Sequence, residues 1–459
     1  MIAMQLSESA RLLDAELAGP DAPFAGVSTD TRTLQQGNLF VALQGPSFDG
    51  HAFLDQARSR GAAGAAVQHG VADPLAQLVV PDTRRCLGDL ARHWRGRFSL
   101  PVIAVTGSNG KTTVKEMIAA VLRRRGEVLA TRGNLNNDIG VPLTLFGLNA
   151  EHASAVVEMG ANHCGEIANL ASIAGPTVAV VTNAGPAHLE GFGSLDGVAR
   201  GKGELFSGLG DDGIAVINAD DPYAPLWREL AGERRVMDFA LEKPAAVSAT
   251  WQAEGAGSRL DLRTPDGELE IQLALPGRHN VMNALAAAAA ALAAGASLTQ
   301  VGEGLGSLQP VPGRLTVSRR KDGVEIIDDT YNANPASLAA ALEVLGARGG
   351  RRWVVLGDMG ELGAGAQALH ARTGRELRAA GVDRLYALGP LAAAAADAFG
   401  EGARPFPTME ALVAALTNDV QPGVSVLVKG SRRMQMERAV HALVGPAAPA
   451  GARTHERGH

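Results

Sequence analysis

At 459 residues the chain is long enough for about three domains of about 150 residues each. It is 46% apolar, 20% charged and 4% aromatic, with 56 glycines, which suits close-packed α/β layers better than an aromatic-rich β-sandwich. A net charge of −6 gives no electrostatic footprint for a nucleic-acid backbone, so no nucleic-acid partner is expected.

Cys86 and Cys164 lie far apart, lack metal-ligand spacing and fit a reducing compartment. The N-terminus lacks a basic segment followed by an apolar one, so no signal peptide is expected. The longest apolar stretch, 285–296, is mostly alanine and too short to cross a bilayer. These features predict a cytoplasmic protein without membrane insertion.

Residues 1–84 alternate short helical and strand patterns, predicting a small α/β domain. A helix is expected over 5–17, and strands over 38–43 and 65–67. Ser28, Thr31, Arg32, Asp49 and His51 fall on strand ends and in the glycine-rich loop 45–51, where binding groups sit. On pattern alone, solvated turns with an Asp N-cap account for them better.

Residues 85–312 are organised around one stretch. The apolar run 102–105 predicts a buried strand, broken at Gly107-Ser108-Asn109-Gly110; Lys111-Thr112-Thr113 then opens a helix carrying Val114, Met117, Ile118, Val121 and Leu122. Strand, glycine-rich turn and helix N-terminus make a phosphate cradle, because backbone N–H groups and the helix dipole both favour an anion there. Lys111 would add a point charge at the terminal phosphates, and the Thr112 hydroxyl would suit Mg²⁺. The usual pattern has a glycine where this chain has Val105, leaving only the core G-x-x-G-K-T-T.

A dense polar loop follows at 131–142, then the strand 153–157 ending in Glu158. A carboxylate there suits Mg²⁺ beside a phosphate loop, or else it caps the next turn from the surface. The strand 177–182 leads to His188, at a strand end like Glu158, and strand C-termini in a parallel sheet share one crevice. Lys202, in the helix 194–205, reads by itself as an exposed lysine. Segments 260–263 and 269–275 flank a Pro-Asp-Gly turn and predict an antiparallel pair. An alanine-rich helix then runs to 294; Asn280 and Asn283, three apart at its start, are placed to face one ligand, or else Asn280 serves as a simple N-cap.

Residues 313–445 repeat strand and helix patterns, with strands at 325–327, 352–356, 385–388 and 424–428, predicting a Rossmann-like doubly wound domain. Residues 446–459 are expected to be a flexible tail.

The strings TGSNGKTT, VVEMGANHCGEI, VVTNAGPAHLEGFGSLDGVARGKGELF, LPGRHNVMNA and PGR resemble the Mur ligase family of ATP-dependent amide-forming enzymes. TRGNLNNDIGVPLTLF, DDTYNANPAS, LGDMGELG and KGSRRMQMER narrow the resemblance to the members that act on UDP-N-acetylmuramoyl-tripeptide and D-alanyl-D-alanine. It covers all three segments in order, from about residue 27 to 440. An Asp-Asn-Pro-Arg string, usual in the diamino-acid-adding members, is absent from this sequence. A folylpolyglutamate synthetase would lack the Asp49-Gly50-His51 loop and DDTYNANP, and a non-ligase phosphate-loop protein would hydrolyse ATP without an acceptor.

The resemblance implies a central ATPase-like sheet, and ATP and Mg²⁺ as cofactors. It also explains the missing glycine at Val105. The tripeptide carboxylate would be activated as an acyl phosphate and captured by the dipeptide amine. By similarity, Lys111, Glu158, His188 and Lys202 are catalytic, Thr112 and Glu158 serve one Mg²⁺, and His188 serves a second. Lys202 matches a lysine carbamylated by CO₂, which in that form would help hold the second ion. Gly107 to Thr113, Asn280, Arg314 and Asp329 would bind ATP. Ser28, Thr31, Arg32, Asp49, His51 and Asn137 would hold the UDP substrate, and Asn332, Asn334 and Asp358 the dipeptide. A monomer is expected.

Overall fold

The computed structural model describes residues 1–444 except Ala187, Ala256 and Pro310; the tail expected over 446–459 lies outside the described residues. Three large sheets follow one another along the chain, beside two small two-stranded ones among the described residues. The first has five strands in the order Glu16–Ala18, Gln77–Val79, Gly64–Val67, Leu39–Val41, Val27–Ser28, parallel except for the first pair. The helix expected over 5–17 stops earlier, at Leu6–Leu13, because Asp14 turns left-handed (φ 50°) and caps it; Glu16–Ala18 then joins the sheet edge. One face of this sheet has its own core around Phe40, Leu54 and Val67. The other, with Leu39, Val41 and Leu78, packs on Leu87 and Leu90 of the helix Thr83–Arg95, within a core that continues into the central sheet. The amino terminus docks there too, through Ile2 N to Phe146 O at 2.7 Å.

The central sheet has nine strands. Its order is Glu127–Ala130, His152–Glu158, Val102–Thr106, Val178–Val181, Ile214–Asn218, Arg235–Ala240, Val247–Glu254, Gly257–Thr264, Gly267–Leu273. The first seven are parallel; the last two form the expected antiparallel hairpin. Val102–Thr106 is the first of these strands in the sequence yet lies inside the sheet, between His152–Glu158 and Val178–Val181, so the chain crosses over it between those two strands and leaves a crevice at its C-terminal end. Val105 is paired inside this strand and fully buried, which is why the phosphate-loop pattern can begin two residues later, at Gly107.

The third sheet has the order Thr316–Arg319, Glu325–Asp329, Val424–Lys429, Arg351–Gly357, Arg384–Leu388, Ala403–Phe406, parallel except for the first pair. Separate cores cover its two faces, around Leu356 and Leu377 on one side and Trp353 and Leu412 on the other. The whole is a three-domain α/β architecture with mostly parallel sheets.

Candidate active site

The phosphate loop takes its shape from two glycines that nothing larger could replace. A Cβ on Gly107 (φ 145°) would sit 2.0 Å from Thr182 Oγ1, and one on Gly110 (φ 82°) 2.4 Å from Asn283 Oδ1. The loop is pinned to the neighbouring strand end: Thr182 Oγ1 donates to Asn109 O at 2.7 Å, and Asn109 N donates to Asn183 Oδ1 at 2.9 Å. Helix Lys111–Leu122 starts beyond it and faces a cavity of about 1180 Å³ lined by the central and last domains.

Lys111 Nζ donates to Gly107 O at 2.7 Å and Ser108 O at 3.3 Å, folding over its own loop. Burial pushes its pKa below the usual lysine range, opposed by the carboxylate of Glu158. Thr112 Oγ1 donates to Glu158 Oε2 at 2.7 Å, and Asn136 Nδ2 donates to Glu158 Oε1 at 2.9 Å. Glu158 is only 3% exposed, so the surface-cap alternative for it fails; the strand carries it into the crevice beside the loop. Its backbone N donates to Thr131 Oγ1, while Lys115, buried one turn beyond Lys111, donates from Nζ to Thr131 O at 2.7 Å. Asn136, Thr131 and Lys115 are thus props of the carboxylate. A hydroxyl and a carboxylate at this spacing are hard oxygen donors of the kind Mg²⁺ takes, with room for phosphate and water to complete its shell. Among the described residues no three His, Cys, Asp or Glu side chains gather into a metal cage.

Lys202 is 1% exposed, against its reading as a surface lysine. The short helix Leu195–Gly203 packs it under Phe192, with Nζ 5.1 Å from the ring centre and 3.3 Å from Ala161 O. Gly201 permits this approach, since a Cβ there would meet Phe192 at 2.4 Å. Burial, with Lys111 nearby, pushes the Lys202 pKa down to about 7, so a large share of the amine is neutral at that pH. His188, left-handed at φ 55°, has Nδ1 2.6 Å from Oε2 of Glu361 in the last domain.

Two hydrogen bonds join that contact in linking the last domain to this wall among the described residues. Arg314 Nη2 donates to Thr112 Oγ1 at 2.9 Å, its guanidinium stacked 4.1 Å over Tyr331. Asn334 Nδ2 donates to Asn109 Oδ1 at 2.8 Å while its own Oδ1 caps helix Pro335–Gly346. Asp329 pairs with the buried Lys429, which also donates to Asn332 O at 2.9 Å.

The cap alternative for Asn280 fails: Gly277 holds the cap position, and Asn280 lies inside helix Arg278–Ala293, donating to Pro276 O at 2.8 Å. Asn283 Nδ2 reaches Asn280 Oδ1 at 3.3 Å, and both line the cavity. Between Gly277 and Asn280, His279 has both ring nitrogens shut off from solvent with no hydrogen-bond partner among the described residues. Burial pushes its pKa down to about 4.

The structure does not bring the first-domain residues to this cavity. Ser28 Oγ donates to Asp30 O at 2.9 Å, Thr31 pairs with Gln56, and Arg32 lies on Asp30 in solvent. Asp49 caps the turn Gly50–Phe53, as the cap reading expected, and its Oδ1 is 2.6 Å from His51 Nδ1, whose Nε2 accepts from Gln68 N. Asn137 does line the cavity, its Oδ1 accepting from Gly140 N at 2.9 Å. Asp358 is buried and accepts from Ala392 N at 2.8 Å, away from the cavity lining.

A phosphate loop with an acidic partner, closed over by basic and amide groups from a second sheet, defines a nucleotide-dependent enzyme that works between domains. The Mur ligase family catalytic domain matches residues 23–95, the Mur ligase middle domain 105–291, and the Mur ligase glutamate ligase domain 313–432. The chain belongs to the Mur ligase family and is an ATP-dependent, amide-forming ligase. It is 45% identical to the UDP-N-acetylmuramoyl-tripeptide–D-alanyl-D-alanine ligase of Escherichia coli (strain K12), over 96% of this chain and 99% of that protein. A crystal structure of MurF from Acinetobacter baumannii superposes with a TM-score of 0.92 at 38% identity, covering 97% of this chain and 99% of that one. MurF ligase from Thermotoga maritima in complex with ADP gives 0.83 at 30% identity, covering 91% and 96%.

Proposed function

We propose that this ligase joins D-alanyl-D-alanine to the terminal carboxylate of UDP-N-acetylmuramoyl-tripeptide, a step of peptidoglycan precursor synthesis. A tripeptide carboxylate oxygen attacks the γ-phosphorus of ATP; the bond to the β-phosphate oxygen breaks, giving an acyl phosphate and ADP. The dipeptide amine then attacks the acyl carbon, phosphate leaves with the bonding pair, and the amine loses its extra proton. The observation that carries this reading is the Thr112–Glu158 pair at the phosphate loop, met from the opposite sheet by Arg314, Asn334 and Glu361.

Gly107 to Thr113 would cradle the phosphates, with Lys111 exchanging its loop carbonyls for terminal phosphate oxygens. Asn280 would meet the adenine, and Arg314 and Asp329 would reach the nucleotide from the last domain. Thr112 and Glu158 fit one Mg²⁺, and His188 a second; bound there, the ions neutralise the charge that keeps carboxylate and triphosphate apart. A neutral Lys202 amine is the form that adds CO₂, and the carbamate would replace a cation with an oxygen donor for the second ion. Ser28, Thr31, Arg32, Asp49, His51 and Asn137 are assigned to the UDP substrate, and Asn332 and Asn334 to the dipeptide; Asp358, expected beside them, is buried against Ala392 N outside the cavity lining and is left out of that pocket. The domain division at 84 and 312 and a cytoplasmic monomer complete the reading.

The test is phosphate release with UDP-N-acetylmuramoyl-tripeptide while the added amine is varied. Turnover that depends on D-alanyl-D-alanine is expected. Hydrolysis indifferent to the acceptor would overturn the reading.

A further inference from the structure

Five described non-glycine residues have positive φ: Asp14, His188, Leu315, Glu361 and Gln435. Asp14 and Gln435 end helices, and Leu315 follows Arg314. The other two, His188 at 55° and Glu361 at 60°, lie 173 residues apart in different domains, and their side chains meet at 2.6 Å. Residues held in this region at a backbone cost persist only where the surroundings over-determine them.

The surroundings of Glu361 do so. The loop after strand Arg351–Gly357 is anchored by Met359 N donating to His370 Nε2 at 2.9 Å and by Ser431 N donating to Asp358 O at 3.0 Å. Met359 and Leu362 pack with Ala333 in a small apolar cluster of their own. Glu361 itself stays out of that packing, its side chain 63% exposed, so neither burial nor capping accounts for its placement. The loop presents one carboxylate across the interface to one imidazole. Nitrogen and oxygen lie at ion-pair distance, though without hydrogen-bond alignment.

We propose that Glu361 is a positioning residue: docking of the last domain sets its carboxylate on His188 Nδ1, so that the ring is oriented with Nε2 toward the second metal ion. A carboxylate on the far nitrogen fixes tautomer and orientation of a metal-binding histidine and raises its basicity. Because this carboxylate comes from the other domain, the second ion binds well only when the domains are docked. The inference rests on the ligase reading above for the role of His188.

The test uses the full-length enzyme as wild type, Glu361→Gly and Glu361→Gln. Glycine accepts a φ of 60° without strain, so it removes the carboxylate while sparing the fold. Mn²⁺ binding is followed by electron paramagnetic resonance with a non-hydrolysable ATP analogue and UDP-N-acetylmuramoyl-tripeptide present, alongside kcat and KM. In Glu361→Gly the weaker Mn²⁺ should bind about 10–100-fold less tightly and kcat should fall in step. The tighter Mn²⁺ and the KM for ATP should hold. Glu361→Gln, which keeps an acceptor oxygen, should recover most of the loss. Wild-type binding of both ions by Glu361→Gly, or equal loss of both, would overturn the inference. Wild-type enzyme that releases phosphate without D-alanyl-D-alanine would instead overturn the ligase reading, and the Mn²⁺ titration would still decide the role of Glu361.

Discussion

His279 makes the central domain sensitive to acid in a way the structure lets one size. The folded protein holds its pKa near 4 against an ordinary 6.5, because protonation would bury a charge with no partner at either nitrogen. Between those two values the unfolded chain binds more protons than the folded one, so stability falls as the pH drops through this window. The full difference corresponds to about 3 kcal/mol, and at pH 5 about 2 kcal/mol of it is already spent. Urea unfolding of wild type and His279→Leu at pH 7.5 and pH 5 isolates this share, since carboxylates elsewhere titrate alike in both. Wild type should lose about 2 kcal/mol more than the variant on acidification. Equal losses would show that the ring is hydrated or paired in solution, and the reasoning would fail.

Two further outcomes follow from the phosphate wall. Lys202→Ala should lower turnover by at least about 100-fold, with partial recovery on adding acetate or formate; full activity would remove the carbamate role. Gly110→Ala forces a φ of 82° on a side-chain residue and drives its Cβ to 2.4 Å from Asn283 Oδ1. Strain of about 1–3 kcal/mol confined to the loop should weaken ATP-analogue binding about five- to 150-fold by calorimetry, and an unchanged Kd would refute it.

The phosphate loop was legible because its determinants are local: an apolar run, two glycines at fixed spacing, and a helical pattern behind them. Glu158 was legible as an acid at a strand end, but its burial was not, since that depends on Asn136 and Thr131 reaching it from a loop more than 20 residues earlier. Lys202 read as exposed because nothing on its own helix shows that Phe192 covers it. Glu361 stood in a recognisable string, yet its meeting with His188 is a tertiary event with no local signature. The strands Arg235–Ala240 and Val247–Glu254 were missed because the first starts with exposed residues and carries Asp238, and the second is exposed over half its length, so neither shows a clean apolar run. The Rossmann-like last domain was the easiest to read, since its central strands are buried on both faces and appear as continuous apolar stretches.

The first and central domains share a core, whereas the last domain closes its own cores and is joined to the rest by one covalent connection between Gly306 and Thr316. Arg314 lies at the far end of that connection, where the last domain begins, and Glu361 beyond it, so the linker acts as a tether. Its length and stiffness set the effective concentration of those two side chains above the phosphate loop, without touching a substrate. Lengthening it with flexible residues dilutes the second half of the site, while every group in both halves keeps its chemistry.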